Sequence, residues 1–377
     1  MENNYKTELK KYLNSHGLRF NLNEKIIWKF VEEVFGEKKA IKLSDIMDER
    51  YKKSETHYSH RSGNYNTDGL YKFCNNFEEA TTLMYFQSDW FLKNSEVILE
   101  EIIKIKPKKL LELGCYTGIF SNYIAEQFSE MMVTGIDREN NLIQYGKTKF
   151  NSNNLKLLNL DYKDLKNLDM KFDFIFTNFG IENIPNISSN TYQIRKNEDY
   201  KNKINFFCEF FDNLNKVSEE NAIFSCVIRI HNLSVLLPFI DASQLNGWKW
   251  LYNRMDIITE NSEIIPHLVF KKNQSDKINL DKFLDIVKSY RKEDELFYIR
   301  NYEINKKNLT KIANSKLFFE KTKDTLYYEI NSINNKYNLF MWSTLGFARY
   351  KDFQSLEDLE SYFFEETGFN LHQYRNE

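Results

Sequence analysis

The segment Lys108–Tyr123, KKLLELGCYTGIFSNY, places an acid and two glycines at a spacing that suits a nucleotide-binding site. An apolar run ends in Glu112, Gly114 and Gly118 follow, and an amphipathic stretch comes next. Such a run is typical of a strand buried on both faces of a parallel sheet. Gly114 can take backbone angles that a side chain forbids, and Gly118 allows the first helical turn to approach a ligand closely. We therefore predict a strand, a sharp turn and a helix, with the Glu112 carboxylate as an acceptor in the crevice.

The pattern from Glu112 to Gly118, ELGCYTG, resembles the E/D-x-G-x-x-x-G signature of class I S-adenosylmethionine-dependent methyltransferases. It differs from the G-x-G-x-x-G of dinucleotide folds and from the P-loop, which requires Gly-Lys-Ser/Thr. The resemblance implies that this turn, including Cys115 and Thr117, binds S-adenosyl-L-methionine. A tight turn in another doubly wound domain is the alternative for the motif alone. Cys115 is interpreted as turn filler rather than as a nucleophile.

A second apolar run, Met131–Asp137, also ends in an acid. It lies roughly 20 residues beyond the turn, where a carboxylate can accept hydrogen bonds from both ribose hydroxyls of a bound nucleoside. We therefore predict that Asp137 holds the ribose.

Two further apolar runs provide the other cofactor contacts that the resemblance implies. Leu155–Asp161 is followed by Tyr162, and this pair matches the family position that receives the adenine amino group beside a backbone donor. Asp161 could equally cap the helix that follows, because Asp is favoured at that position. The run Lys171–Asn178 resembles the strand whose carboxyl end, here Asn178, faces the methyl group and the methionine part.

The remaining runs complete the predicted sheet. Ala222–Ile230 is predicted as a fifth strand, Asn232–Ala242 as a helix, and Trp248–Thr259 with Glu263–Lys271 as a closing antiparallel hairpin. The resemblance thus implies an α/β fold, a seven-stranded doubly wound sheet with helices on both faces.

The 377 residues exceed one such core, so we expect additional domains. The prediction is a mainly helical N-terminal region with a lid at 1–100, a cofactor-binding methyltransferase core at 101–272, and a small α+β C-terminal appendage at 273–377. The appendage could bind substrate, a partner, or a second subunit to form a homodimer. The resemblance implies that a polar segment before the first strand folds over the cofactor as a lid, although it could equally be an ordinary exposed loop. The lid candidates in this segment are Tyr58, His60, Tyr65 and Tyr71.

Composition restricts the partners and the compartment. The 52 Lys and Arg against 54 Asp and Glu give a net charge of −2, which supplies no global field for nucleic acid. Four cysteines without a C-x-x-C pair indicate free thiols in a reducing compartment. The polar start and the lack of a long apolar run predict a cytoplasmic protein without membrane contact. The richness in Asn, Lys, Ile, Phe and Tyr suggests an AT-rich bacterial genome.

The predicted function is in-line methyl transfer to a small-molecule or peptide acceptor. If the acceptor must lose a proton, the candidate bases are Glu182, after the fourth strand, and His231, after the fifth. Their alternatives are a solvated loop charge and a helix cap. No metal is predicted, because His57 and His60 have no cysteine or acid cluster beside them. Two other functions stay open: a non-catalytic scaffold with the same fold, and RNA methylation, which the charge balance disfavours.

Overall fold

The computed structural model describes residues 2–55, 70–180, 197–228, 233–251, 256–260, 263–273, 308–319, 324–333, 336–343 and 348–371. Within these ranges ten α-helices are present: α1 (Glu2–Ser15), α2 (Glu24–Phe35), α3 (Glu37–Glu55), α4 (Phe77–Leu83), α5 (Ser88–Ile105), α6 (Ile119–Gln127), α7 (Asn140–Lys149), α8 (Asn197–Lys216), α9 (Leu233–Leu245) and α10 (Leu356–Thr367). Three short 3₁₀ helices occupy Tyr71–Phe73, Met84–Gln87 and Tyr162–Asn167.

The central sheet is mixed. Its strands are β1 (Lys109–Leu113), β2 (Met132–Asp137), β3 (Leu155–Asn159), β4 (Phe172–Asn178), β5 (Ser218–Val227), β6 (Trp248–Trp250), β7 (Asp256–Glu260) and β8 (Glu263–Lys272). The order is β3-β2-β1-β4-β5-β8-β6, and β7 also pairs with β8. The first five strands are parallel, whereas β8 is antiparallel to β5, β6 and β7. The carboxyl ends of β1, β2 and β4 therefore meet at one edge, where ligands bind in such sheets.

Alternation along β1 shows why its apolar run forms a strand covered on both faces. Leu111 and Leu113 pack in one core together with α8 and α9. Leu110 packs in the opposite core together with α1, α5 and α6. Successive strand residues point to opposite faces, so a strand between two helical layers must be apolar at nearly every position.

The prediction of a doubly wound sheet with seven strand positions is confirmed, with one difference at its edge. The predicted strand Trp248–Thr259 is two strands, β6 and β7, which pair with different parts of the same edge of β8. They therefore share the seventh position of the sheet.

The N-terminal region is helical, as predicted, and it packs on the sheet domain. Helices α2, α3 and α4 form a third core that includes Leu142 of α7. Helix α2 begins after Asn23, whose side chain accepts a hydrogen bond from the backbone N–H of Ile26, a favoured cap. None of the helices in the described ranges is both long and apolar enough to cross a membrane.

The C-terminal segment forms a second sheet of four antiparallel strands with its own core. Its strands, β9 (Thr310–Phe319), β10 (Asp324–Ile333), β11 (Lys336–Ser343) and β12 (Ala348–Phe353), lie in the order β12-β11-β10-β9. Leu359 and Phe363 of α10 pack in this core. Ser355 caps α10 by accepting a hydrogen bond from Asp358 N–H. The proposed division into three domains, and the use of this segment in a homodimer, stay predictions.

Candidate cofactor site

The turn after β1 is pressed against the end of β4. Gly114 has φ 73°, and its N–H donates to the carbonyl of Ile136 at 2.9 Å. A Cβ atom added to Gly114 would lie 2.3 Å from the Cα atom of Gly180. Because no real side chain fits at that distance, the positive φ and the close approach both require glycine at position 114.

Three other predicted turn residues lie inside the protein and do not line the cavity described below. Cys115 and Thr117 are buried, and Gly118, with φ 77°, begins α6. A Cβ atom on Gly118 would lie 2.5 Å from the side chain of Leu157. Burial raises the pKa of the Cys115 thiol well above its usual value, which is consistent with filler rather than a nucleophile. Direct contact of these three residues with a cofactor stays a prediction.

Glu112 lies beneath the turn rather than in the cavity. It shares the face of β1 with Leu110, and it accepts a hydrogen bond from the hydroxyl of Ser121 on α6. Burial raises the pKa of Glu112 to about 8, against the lowering effect of that hydrogen bond. The expected acceptor position in the crevice is therefore not the one that the side chain takes, because residue 112 falls on the α6 face of the strand. Its assignment as a direct cofactor ligand stays a prediction.

Asp137 lies at the end of β2, where the backbone fixes its carboxylate, and its role as the ribose ligand stays a prediction. Its two carboxylate oxygens accept one backbone N–H each, from Tyr116 and from Glu139, both at 2.9 Å. These bonds fix the orientation of the carboxylate, and each oxygen keeps a lone pair for a further donor. Burial raises the pKa of Asp137 to about 6 despite the two N–H donors.

A cavity lies at this edge of the sheet, between the strand ends and the N-terminal region. Its lining combines residues from the turns after β1, β2, β3 and β4 with residues from 71–91: Tyr71, Leu83, Met84, Gln87, Phe91, Gly114, Tyr116, Ile136, Asp137, Arg138, Glu139, Leu160, Asp161, Tyr162, Asn178, Phe179 and Gly180. Five of the predicted site residues are thus brought together: Gly114, Asp137, Asp161, Tyr162 and Asn178.

Asp161 caps a helix and also lines the cavity, so both interpretations of this residue fit its position. Its side chain accepts the N–H of Lys163 at 3.0 Å at the start of the 3₁₀ helix Tyr162–Asn167. The other carboxylate oxygen remains for a ligand. The Tyr162 ring meets Phe210 edge-on, and burial raises the pKa of Tyr162 to about 12. Contacts of Asp161 and Tyr162 with adenine stay predictions.

Asn178 ends β4 and is bonded to α5. Its Oδ1 accepts from Asn94 at 2.9 Å, and its Nδ2 donates to Ser95 at 3.2 Å and to the carbonyl of Phe91 at 3.4 Å. The side chain therefore joins the sheet to the N-terminal region, and its contact with the methionine part of a cofactor stays a prediction.

Sequence reasoning missed most of the N-terminal wall of the cavity. Leu83, Met84, Gln87 and Phe91 surround the junction of α4 and α5, and apolar periodicity alone does not show which of these residues face a ligand. Tyr116 was also missed, although it stands between the two glycines of the motif. Its hydroxyl donates to the Ala80 carbonyl at 2.8 Å.

Of the four lid candidates, Tyr71 lines the cavity. The other three, Tyr58, His60 and Tyr65, lie outside the described residues, as do both candidate bases, Glu182 and His231. Within the described ranges, His, Cys, Asp and Glu form no group of three that could hold a metal ion. All four cysteines are free thiols.

Comparison with known families identifies the domain that carries this cavity. Residues 110–197, which include all but the first residue of β1, the strands β2 to β4 and the turns that line the cavity, match the family model of the methyltransferase domain. This stretch of the chain is similar to the domain of class I methyltransferases. Its sheet is Rossmann-like and doubly wound, as the resemblance implied. S-adenosyl-L-methionine is the cofactor of this class.

Similar curated proteins match the methyltransferase domain over short stretches. Protein 235L of Invertebrate iridescent virus 6, named as a methyltransferase, is 25% identical over 107 residues, 28% of this chain and 39% of that protein. Ribosomal RNA small subunit methyltransferase A of Mesomycoplasma hyopneumoniae (strain J) is 35% identical over 74 residues, 19% of this chain and 28% of that protein. Demethylmenaquinone methyltransferase of Staphylococcus aureus (strain MRSA252) is 35% identical over 82 residues, 21% of this chain and 34% of that protein. The chain thus spans well under half the length of each of these relatives.

Among solved structures, the plantazolicin methyltransferase BpumL in complex with SAH is 12% identical with a TM-score of 0.35, covering 61% of this chain and 100% of that chain. TrmN from Thermus thermophilus is 10% identical, also with a TM-score of 0.35, covering 48% and 52%. Likeness at this level adds nothing about the substrate.

Proposed function

We propose that the protein is an S-adenosyl-L-methionine-dependent methyltransferase that acts on a small molecule or a peptide. The observation that carries the proposal is Asp137: a carboxylate oriented by two backbone N–H groups at the edge of a cavity in a matched methyltransferase domain.

The residues that line the cavity fit this cofactor. Asp137 offers a free lone pair on each oxygen to the two ribose hydroxyls, and Asp161 offers one carboxylate oxygen to the adenine amino group. Gly114 and Gly180, which both line the cavity, let two backbone segments approach each other without side chains between them. Three lining carboxylates, Asp137, Glu139 and Asp161, face one lining cation, Arg138, among the described residues. That balance favours a cofactor with a net positive charge.

The cofactor, when bound, supplies a methyl group already activated as an electrophile. The protein's contribution is then to hold the acceptor in line with it, and positioning of this kind is worth roughly 7–11 kcal/mol. Leu83, Met84 and Phe91 give one side of the cavity an apolar wall. For acceptors that carry a proton, we propose Glu182 or His231 as the base, which would add about 10²–10⁴-fold.

The apolar and uncharged character of the N-terminal wall supports a small molecule or a peptide as the acceptor. RNA is the second candidate, because one relative is named as a ribosomal RNA methyltransferase. RNA binding that falls steeply with added salt would support this second candidate.

The first experiment is calorimetric titration with S-adenosyl-L-homocysteine. We expect the wild-type protein to bind and Asp137→Ala to lose most of the affinity. The matched control is Asp212→Ala, which removes an exposed acid of α8 that pairs with Lys216 and should bind as the wild type does. A wild-type protein without affinity, or equal affinity in Asp137→Ala, would contradict the proposal.

The second experiment identifies the acceptor. Transfer of a labelled methyl group would be measured against panels of small metabolites, peptides and RNA. Product in the first two panels supports the proposal, whereas product with RNA alone selects the second candidate. Cofactor binding without transfer in any panel would instead favour a non-catalytic scaffold.

A further inference from the structure

Polar side chains are buried between α5 and the sheet, where apolar packing would be the simpler solution. Asn94 and Ser95 of α5 are both 0% exposed, and Asn178 of β4 is 7% exposed. The two neighbours on this face of the sheet are apolar, namely Phe176 and Val227. Burying polar side chains costs free energy unless hydrogen bonds within the protein replace those to water. The burial of these three polar side chains therefore needs an explanation.

The hydrogen bonds of this group converge on one side chain. Asn178 accepts from Asn94 and donates to Ser95 and to the carbonyl of Phe91. Both N–H bonds of its amide are thereby used. Asn178 is therefore held from α5 at three points, which leaves its side chain one orientation.

Only one of the two polar groups of the Asn94 side chain has a hydrogen-bond partner. Its Nδ2 donates to Asn178, but its Oδ1 is buried without a hydrogen-bond partner. An unpaired buried oxygen lowers stability, and a leucine of similar volume would avoid that cost. Stability alone therefore does not explain an asparagine at this position, whereas the bond to Asn178 does.

The residues held by this network line the cavity. Asn178 and Phe91 are both in its wall, and the residue after Asn178, Phe179, takes a left-handed conformation with φ 64°. Gly180 follows, in contact with Gly114 of the cofactor turn. A shift of Asn178 would therefore move the segment that closes the cavity against the turn.

We infer that Asn94 is a positioning residue for the cofactor, which acts through Asn178. The inference rests on the proposed function, because the cavity must be the cofactor site. It assigns to Asn94 a role in cofactor binding although Asn94 itself does not line the cavity.

The test compares Asn94→Leu with the wild type by calorimetry with S-adenosyl-L-homocysteine and by thermal unfolding. We expect roughly three- to tenfold weaker binding, the equivalent of one lost hydrogen bond. The unfolding temperature should change little, because the variant removes the unpaired oxygen of Asn94 but also removes the donor to Asn178 Oδ1. A merely structural role would lower both quantities together.

The chain offers a matched control in the second sheet. Asn331 of β10 is 2% exposed, and its Nδ2 is also buried without a partner. Asn331→Leu makes the same chemical change away from the cavity, so we expect its affinity to stay within twofold of the wild type. If Asn94→Leu does not fold, Ser95→Ala removes one of the three bonds to Asn178 and should weaken binding about threefold.

The outcomes separate the inference from the proposed function. If the wild type does not bind the probe, the proposed function fails. If the wild type binds and Asn94→Leu, or Ser95→Ala in its place, binds equally well, the inference alone is overturned. Equal losses of affinity in the Asn94 and Asn331 variants also overturn it, because the effect is then general.

Discussion

Cofactor binding should depend on pH through Asp137. Burial raises the pKa of Asp137 to about 6 in the ligand-free protein, and only the ionised carboxylate can accept from both ribose hydroxyls. At pH 5 about one Asp137 in eleven is ionised. The affinity for S-adenosyl-L-homocysteine should therefore be constant above about pH 7 and roughly tenfold lower at pH 5.

The same pKa affects the stability of the ligand-free protein in the opposite sense. In the unfolded chain an Asp titrates near 3.9, below the folded value of about 6. The folded state thus binds the proton more tightly, so this contribution to stability is present below about pH 4 and is lost as the pH rises through about 6. The ligand should offset that loss because it binds the ionised form.

The assay is calorimetric titration from pH 5 to pH 7.5 at constant ionic strength, with Asp137→Asn as the control. The variant cannot ionise at this position, so its weaker binding should not change over this range. Parallel pH profiles for the wild type and Asp137→Asn would refute the assignment of the ribose contact. A wild-type profile without any slope would refute the raised pKa.

Two other changes test the turn. Glu112→Gln should raise the unfolding temperature at pH 9, because the pKa of Glu112 in the folded protein is about 8. The contribution of Glu112 to stability is therefore complete below about pH 4 and is lost as the pH rises through 8. An equal shift of the unfolding temperature at pH 5 and pH 9 would speak against this. Gly114→Ala would bring a Cβ atom 2.3 Å from the Cα atom of Gly180 and should weaken binding of S-adenosyl-L-homocysteine at least tenfold. Its control, Gly247→Ala, has a similar φ of 78° and nothing within 4 Å, so thermal unfolding should show about 1–2 kcal/mol of strain and calorimetry no loss of affinity.

The sequence predicted the strands and the place where they meet, because apolar runs bounded by polar residues are a local signal. Asp137 and Asp161 both line the cavity, and each stands at the end of such a run. Parallel strands then bring their carboxyl ends together whatever the connecting segments do. This part of the site depends on few long-range contacts.

The side of a strand on which a residue lies was harder to predict. Glu112 stands at the end of β1, but the alternation of side chains turns it toward Ser121 rather than toward the cavity. Asn178 likewise stands at a strand end, yet its hydrogen bonds go to α5. The outcome for Glu112 depends on which face of β1 is covered by α6, the helix that follows it. The outcome for Asn178 depends on α5, which lies 84 residues earlier in the chain at Asn94 and is not contained in a local pattern.

The backbone contact between Gly114 and Gly180 has a consequence for how such a protein can diversify. Gly180 lies at the start of the segment that connects β4 to α8. Its position is fixed by the turn on β1, since a methyl group at either glycine would force the strands apart. New substrates should therefore arise by changes further along that segment, and exchange of whole loops between relatives should succeed only when both glycines are retained.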